Sequence, residues 1–427
     1  MHKTTTKYSL SMLVALSIAG VWITAYGQAS ESNMAVPADS ITAEPGQATR
    51  DGLAETIAGY LRVKDVRVPG EQTIKMRVEG FADELAVQAV IQDHPAPLVV
   101  VILGLSAKTK SDYSKQWPAW LAEAGFHVLY FDSTFGDSFQ KVARRGVSGN
   151  VFSEAESARD VIAAFTNRSE IQGRITRIGL VGYSYGAVEA LILGKMSAEG
   201  KLPFELSAIQ AYEPPLDLRA TANVLDRWFE EDRPRYTLIE LQRMFKISSG
   251  DEERELAKLS PSAMRAAIAA TFREELSNVI VENDKIYKLG LLPKTDAVDE
   301  EYVRKDAADQ YGFIPYAEGI ALPFWAQRMG YANAERMVNE ATVFALLPAQ
   351  PNFCEVIEAA NDPFNTPDQL ELLQRQNAGQ RLTIIPHGGH LGYMSDSWTR
   401  SKLISLFGQP DALKSSATGI ERVFARK

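Results

Sequence analysis

Cysteine and histidine are both scarce in this chain of 427 residues. Cys354 is the one cysteine, so the sequence excludes an intrachain disulfide and a metal site built from several thiolates. We expect Cys354 to be a small, buried, apolar side chain. The five histidines leave few candidates for a base that transfers protons.

An excess of basic residues is also missing. Lys and Arg total 45 against 54 Asp and Glu, which gives a formal net charge of −9. Proteins that bind nucleic acids usually present a concentrated basic face, so a nucleic acid is not an expected partner.

Motifs that bind nucleotide cofactors are missing as well. The sequence lacks a P-loop, and Gly179-Leu-Val-Gly182 has the wrong spacing for a dinucleotide-binding turn. We therefore expect no cofactor.

The first residues have the pattern of a secretory signal peptide. Lys3 and Lys7 precede an apolar core from Ser9 to Ala25. We predict that residues 1–27 are a signal peptide and that residues 28–56, which are rich in small and polar residues, form a flexible linker. An uncleaved membrane anchor is the alternative, since the apolar run is marginal in length for a span. Export without disulfides indicates a periplasmic or secreted bacterial protein, with no stable membrane span after cleavage.

Strand-like and helix-like segments alternate through much of the chain. The first two strand-like runs lie close together and predict a hairpin, whereas the later ones are continuously apolar and predict buried strands. These runs are 73–78, 85–91, 98–103, 127–131, 178–182, 206–212, 353–360 and 381–386. The alternation predicts an α/β fold with a mostly parallel, doubly wound sheet.

A long helical pattern interrupts this alternation. Residues 214–345 are mainly helical in pattern and are too long to be a simple connection between two strands. We predict that they form an inserted helical cap domain. The core then consists of residues 57–213 and 346–427.

Gly182-Tyr-Ser184-Tyr-Gly186 is a G-x-S-x-G motif between a predicted strand and a predicted helix. In a nucleophile elbow, a sharp turn exposes the serine hydroxyl, and the flanking glycines let the strand and the helix approach closely. Ser184 is therefore the candidate nucleophile. The alternative is an ordinary turn with a solvated serine, and the surrounding strand–helix pattern favours the elbow.

A serine hydroxyl needs an adjacent base to act as a nucleophile near neutral pH. His387 and His390 both follow the last predicted strand, on a Gly-Gly loop that can bend across the edge of the sheet. His390 lies deeper in this loop, so we favour it as the base. His127 opens a central strand and is expected to be a hydrogen-bonded core residue. Metal binding by His387 and His390 is disfavoured, because no carboxylates cluster near them in the sequence.

The base needs an acceptor that fixes its tautomer and stabilises its protonated form. Asp362 follows the penultimate strand, and the order Ser184, Asp362, His390 is that of an α/β-hydrolase triad. Asn-Asp-Pro is also a good turn by itself, so Asp362 could simply form a turn. Asp217 and Glu358 are the rival acids.

An oxyanion intermediate requires two donors. We predict the backbone N–H groups of Tyr185, at the start of the helix after the motif, and of Leu105, in the loop after the first buried strand. The hydroxyl of Ser106 is a further candidate, although we expect an exposed loop serine without this role.

Taken together, these motifs resemble the serine hydrolases of the α/β-hydrolase superfamily over residues 73–213 and 346–407. Four segments are similar to the abhydrolase-domain lipid esterases and their bacterial relatives: Leu103-Gly-Leu105, Glu213-Pro-Pro-Leu-Asp-Leu218, Asn361-Asp-Pro-Phe364 and Gly388-Gly-His-Leu-Gly-Tyr393. That group usually begins its oxyanion loop with His-Gly, whereas Leu103 takes the place of the histidine here. The resemblance implies the α/β-hydrolase fold and a catalytic triad.

These observations predict an exported hydrolase that cleaves small-molecule carboxylic esters, with an apolar acyl chain as one candidate substrate feature. Ser184 would attack the ester, His390 would transfer the proton, and Asp362 would orient His390. An acyl-enzyme would then react with water. Two alternatives stay open: an acyltransferase that uses the same triad, and an inactive binding protein on the same fold.

Overall fold

The computed structural model describes residues 50–237, 240–241, 252–294, 300–376 and 381–408. The predicted signal peptide and most of the predicted linker lie outside these residues. Within the described ranges, no helix is both long enough and apolar enough to cross a bilayer.

The described residues contain one eight-stranded sheet with the spatial order β1-β2-β4-β3-β5-β6-β7-β8. Its strands are β1 (Gln72–Met76), β2 (Leu85–Val90), β3 (Ala96–Ile102), β4 (His127–Phe131), β5 (Ile175–Tyr183), β6 (Leu206–Tyr212), β7 (Cys354–Ala359) and β8 (Arg381–Ile385). Strand β2 is antiparallel to β1 and β4. Strands β3 to β8 are mutually parallel. The predicted hairpin and the predicted parallel sheet are both confirmed.

Strand β3 shows why the central strands are continuously apolar. Leu98 and Val100 pack into the core on one face of the sheet, whereas Val99 and Val101 pack into the core on the other face. All four side chains are fully buried. Because successive strand residues point to opposite faces, a strand covered by helices on both sides needs apolar residues at every position.

Helices flank the sheet and connect its strands. Those up to β6 are α1 (Arg50–Arg62), α2 (Asp112–Glu123), α3 (Asp137–Ala143), α4 (Val151–Thr166) and α5 (Tyr185–Ala198). Between β6 and β7 lie α6 (Leu218–Glu231), α7 (Glu252–Leu256), α8 (Pro261–Tyr287), α9 (Glu300–Ala308), α10 (Phe313–Tyr316), α11 (Leu322–Met329), α12 (Tyr331–Glu340) and α13 (Val343–Leu346). The last two are α14 (Pro367–Gln376) and α15 (Ser397–Gly408).

The segment between β6 and β7 is an inserted helical unit whose two ends lie side by side. Asp217 and Thr342 form an isolated antiparallel bridge, and the Val343 N–H donates to the Leu216 carbonyl at 3.0 Å. The chain thus leaves and re-enters the sheet at nearly the same place. This geometry lets a long insertion fold without disturbing the pairing of β6 with β7.

Helix α1 corrects the predicted linker. The linker was expected to extend to residue 56, but residues 50–56 form the first part of α1. Leu53, Ile57 and Leu61 are spaced four residues apart and are all buried in one apolar cluster. The predicted boundary cut this stripe in two, so its helical period was missed.

A buried ion pair organises the insertion. The Asp226 carboxylate accepts hydrogen bonds from the Arg273 guanidinium at 3.0 Å and from the N–H groups of Phe313 and Ile314 at 2.7 and 2.8 Å. These contacts join α6 to α8 and to the start of α10. Both charged side chains are about nine-tenths buried. Each has therefore lost most of its hydration, and its hydrogen-bond partners compensate for that loss.

We therefore expect Asp226→Ala to lower the free energy of unfolding by about 3–5 kcal/mol, because the Arg273 charge would remain buried without its partner. Urea denaturation would measure this change. Glu371→Ala is the control, since Glu371 pairs with Arg375 on an exposed surface, and its loss should cost less than about 1 kcal/mol. Equal effects of the two substitutions would contradict a stabilising role for the buried pair.

Candidate active site

Ser184 occupies a sharp turn between β5 and α5. Its backbone angles are φ 53° and ψ −125°, a region that residues with a side chain rarely adopt. The turn is held by two hydrogen bonds, from the Ser184 N–H to the Tyr212 carbonyl and from the Ala187 N–H to the Ser184 carbonyl, both 2.9 Å long. These bonds offset the strain and fix the direction of the serine side chain.

The two glycines of the motif are required by the space around this turn. A Cβ atom on Gly182 would lie 2.2 Å from the carbonyl oxygen of Gly186, and one on Gly186 would lie 2.4 Å from the carbonyl oxygen of Ile102. Either contact is far shorter than van der Waals distance. The predicted reason for the two glycines, close approach of strand and helix, is therefore the one that the structure shows.

The structure brings Ser184, His390 and Asp362 together. His390 Nε2 lies 2.9 Å from Ser184 Oγ, and His390 Nδ1 lies 2.7 Å from Asp362 Oδ2. The Asp362 side chain is fully buried and that of His390 is 6% exposed. With Nδ1–H donating to the carboxylate, Nε2 is free to accept the hydroxyl proton. The order of the three side chains and the two distances between them are those needed to activate a serine hydroxyl.

Asp362 also forms the turn that was the alternative interpretation of this residue. Its Oδ1 accepts a hydrogen bond from the Phe364 N–H at 2.7 Å, while its Oδ2 contacts His390. The turn therefore fixes the orientation of the carboxylate. Of the rivals, Asp217 caps the start of α6 through the Ala220 N–H at 3.0 Å. The other rival, Glu358, is fully buried and hydrogen bonds the Asn365 side chain at 3.3 Å.

Two other histidines of the described residues, His387 and His127, take no part in this hydrogen-bonded series. His387 is exposed. His127 is buried, with Nδ1 accepting from the Gln92 N–H at 3.0 Å and Nε2 lying 3.3 Å from the Arg174 carbonyl. Burial lowers the pKa of His127, which keeps it neutral as this tautomer requires. The prediction of a hydrogen-bonded core histidine is confirmed.

The loop after β3 lies directly beside the nucleophile. A Cβ atom on Gly104 would be 3.3 Å from the Ser184 Cβ. In the part of the chain that the structure describes, the N–H groups of Tyr185 and Leu105 donate to no acceptor. Tyr185 also begins α5, where the helix dipole favours negative charge. Both N–H groups are thus available to an oxyanion, and their role stays a prediction.

Ser106 differs from its prediction. An exposed loop serine was expected, but Ser106 is 5% exposed and has a φ of 53°. Its hydroxyl makes no hydrogen bond with the described residues. The loop after β4 lies against this residue, since a Cβ atom on Gly136 would be 3.6 Å from the Ser106 Cα, and the local sequence does not indicate this contact.

Glu213 is a buried acid beside the triad that the sequence analysis missed. It is fully buried, its φ is 47°, and neither carboxyl oxygen receives a hydrogen bond from the described residues. Burial raises the pKa of Glu213 well above its usual value, and the facing carboxyl groups of Glu358 and Asp362 raise it further. Burial and the neighbouring carboxyl groups therefore favour the protonated form of Glu213. The position after β6 was a usable signal, because Asp362 and His390 also follow parallel strands.

Glu213, Asp362 and His390 are also the group of side chains that could hold a cation, with one ligand atom from each within 4.8 Å of the others. His390 Nδ1 and Asp362 Oδ2 already form a hydrogen bond of 2.7 Å. A cation would have to displace the proton that lies between them. The arrangement is therefore better suited to proton transfer than to metal ligation.

The strand order and the strained serine at the end of β5 define the α/β-hydrolase fold. The predicted fold class is confirmed by these features.

No protein-family model and no curated relative matches the sequence. Among solved structures, an esterase of Pyrococcus furiosus is 12% identical with a TM-score of 0.45, and the similarity covers 81% of this chain and 96% of that one. An enol-lactonase of Burkholderia xenovorans is 14% identical with a TM-score of 0.43, over 79% and 100% of the two chains. A bacterial membrane phospholipase A is 14% identical with a TM-score of 0.41, over 86% and 89%. These similarities are too distant to transfer an activity to this chain.

The proton on Glu213 should make stability depend on pH. A carboxyl group with a raised pKa in the folded state binds more protons folded than unfolded, so stability falls as pH rises above its unfolded pKa. Glu213→Gln removes this titration. We expect the variant to gain stability relative to the parent protein as pH rises above about 4.5, by up to about 1.4 kcal/mol per pH unit.

Urea denaturation at several pH values would measure this difference. Glu371→Gln is the control, because Glu371 is exposed and should give a difference that stays constant with pH. A constant difference for Glu213→Gln would show that Glu213 is ionised in the folded protein.

Proposed function

We propose that this chain is an exported serine hydrolase that cleaves small-molecule carboxylic esters through an acyl-enzyme. The observation that carries the proposal is the hydrogen-bonded series Ser184, His390, Asp362 at the carboxyl edge of a parallel sheet. Export rests on the signal-like pattern of residues 1–27.

The reaction would proceed in two halves. Ser184 Oγ attacks the acyl carbon while His390 Nε2 accepts its proton, and Asp362 stabilises the imidazolium that forms. The N–H groups of Tyr185 and Leu105 would donate to the oxyanion. When the intermediate collapses, the alcohol leaves with the proton from His390. Water then gives a proton to His390 and attacks the acyl-enzyme. As the acid leaves, His390 returns that proton to Ser184 Oγ, which restores both residues.

Aromatic side chains of the helical insertion pack around a residue that contacts the triad. The Phe364 ring packs against His390 at a centroid distance of 4.7 Å. On its other sides it meets Trp228 of α6 at 5.7 Å and Phe272 of α8 at 6.0 Å. Helices of the insertion therefore reach the residue that covers the histidine. This contact favours a cap that excludes water and accepts an apolar group.

Acyl transfer is the second candidate function. The side chains of His390 and Asp362 are almost completely buried, and an acyl-enzyme shielded from water could pass its acyl group to an alcohol instead. Rates of product formation with and without an added alcohol would separate the two reactions. The intact hydrogen-bonded series weighs against an inactive binding protein.

We expect Ser184→Ala to abolish both turnover of p-nitrophenyl esters and labelling by a fluorophosphonate probe, because both reactions need the serine oxygen. His390→Ala should lower kcat by about a thousandfold or more. His387→Ala is the matched control, since this exposed histidine of the same loop should leave both rates within twofold. Undiminished labelling of Ser184→Ala would refute the proposed nucleophile.

A further inference from the structure

Helix α1 makes direct contact with the loop that carries the candidate base. The His390 N–H donates to Thr56 Oγ1 at 2.8 Å, and the Gly388 N–H donates to Glu55 Oε2 at 2.8 Å. The Thr56 hydroxyl in turn donates to the Gly52 carbonyl at 2.7 Å. This bond orients the hydroxyl so that its oxygen can accept from the His390 N–H. Two successive residues of α1 therefore hold the backbone on either side of Gly389.

The same helix also holds the loop that carries the acid. Asn361, which precedes Asp362, donates through Nδ2 to Glu55 Oε2 at 2.6 Å. Its Oδ1 accepts from the Gly389 N–H at 2.9 Å. Glu55 and Asn361 thus connect the loop after β7 with the loop after β8, one residue before Asp362 and one or two before His390.

The backbones of the helix and the base loop are in close contact. A Cβ atom on Gly59 would lie 2.4 Å from the Cα of Gly392, and one on Gly389 would lie 2.2 Å from the carbonyl oxygen of Gly52. Glycine is required on both sides of this interface. Such an interface transmits the position of the helix directly to the loop.

The base loop needs an external restraint because its own sequence is permissive. Gly388 and Gly389 have φ values of 141° and 53°, and Leu391 has a φ of 64°. Glycine pairs adopt many backbone conformations, so the loop by itself would not select this one. His390 must nevertheless keep both ring nitrogens within hydrogen-bonding distance of two partners. Within the loop, the Gly392 N–H donates to the Gly388 carbonyl at 2.8 Å, and α1 supplies the further restraint on Gly388 and His390.

We propose that Glu55 and Thr56 of α1 are positioning residues, which hold the acid and base loops in the relative orientation that catalysis requires. This inference rests on the proposed hydrolase function. Neither residue touches the reacting atoms: Thr56 acts through the backbone of His390, and Glu55 acts through Gly388 and Asn361.

The experiment compares conservative pairs in the full-length protein. Thr56→Val removes the hydroxyl and keeps the shape, whereas Thr56→Ser keeps the hydroxyl. Glu55→Ala removes both acceptor oxygens, and Glu55→Gln keeps one carbonyl oxygen. Asp51→Asn is the matched control, because Asp51 is an exposed acid one turn earlier in the same helix.

We expect Thr56→Val and Glu55→Ala to lower kcat with p-nitrophenyl esters by about ten- to a hundredfold, with a smaller change in KM. The apparent pKa in the kcat/KM profile should fall, because a loosened contact with Asp362 stabilises the imidazolium less. Thr56→Ser should restore both quantities to near the parent values, Glu55→Gln should be intermediate, and Asp51→Asn should match the parent. Circular dichroism would establish that each variant is folded before its rates are compared.

A purely structural role gives a different result. Thr56→Val and Glu55→Ala would then lower Tm while kcat and the pH profile of the folded protein stay unchanged, and the positioning role would be refuted. The same assay separates this failure from that of the proposed function. A parent protein that neither turns over esters nor labels with fluorophosphonate would refute the hydrolase itself, and the positioning role with it.

Discussion

The parallel register of strands β3 to β8 is the constraint on which the candidate site depends. Because these strands run in one direction, the residues that follow them are delivered to the same edge of the sheet. Ser184 follows β5, Asp362 follows β7 and His390 follows β8. Groups that are separated by 178 and 206 positions in the chain, counted from Ser184, therefore meet within hydrogen-bonding distance. A change of register in any of these strands would move one group away from the others.

Strain at the nucleophile is tolerated because rigid neighbours surround it. Ser184 adopts an unfavourable backbone conformation, and its N–H is tied to the end of β6. Gly186 meets the backbone of β3 at a distance that admits no side chain. The strain therefore cannot relax without separating a helix from two strands. Storing it at this point directs the hydroxyl toward His390 before any substrate binds.

The sequence was sufficient for the sheet, the elbow and the three candidate catalytic side chains, because each is marked by local pattern. Apolar runs mark the strands, and Gly182 and Gly186 mark the turn. Helix α1 was missed since its apolar stripe begins inside a segment that is rich in small and polar residues. Its contacts with Asn361 and His390 join residues more than 300 positions apart, and nothing in either segment alone indicates them. Glu213 was missed because its neighbours, the Ile357 carbonyl at 2.8 Å and the carboxyl groups of Glu358 and Asp362, come from β7 and the loop after it.

Three buried carboxyl groups, those of Glu213, Glu358 and Asp362, face one another behind His390. Their charges repel at low dielectric, so the negative charge must settle where donors stabilise it. The Asp362 carboxyl group accepts a hydrogen bond from the Phe364 N–H and contacts Nδ1 of His390. The Glu213 carboxyl group accepts no hydrogen bond from the described residues. Glu358 has the Asn365 amide at 3.3 Å, and burial raises its pKa well above the usual value. Of the three, Asp362 is therefore the carboxyl group that both accepts a backbone N–H and contacts the histidine.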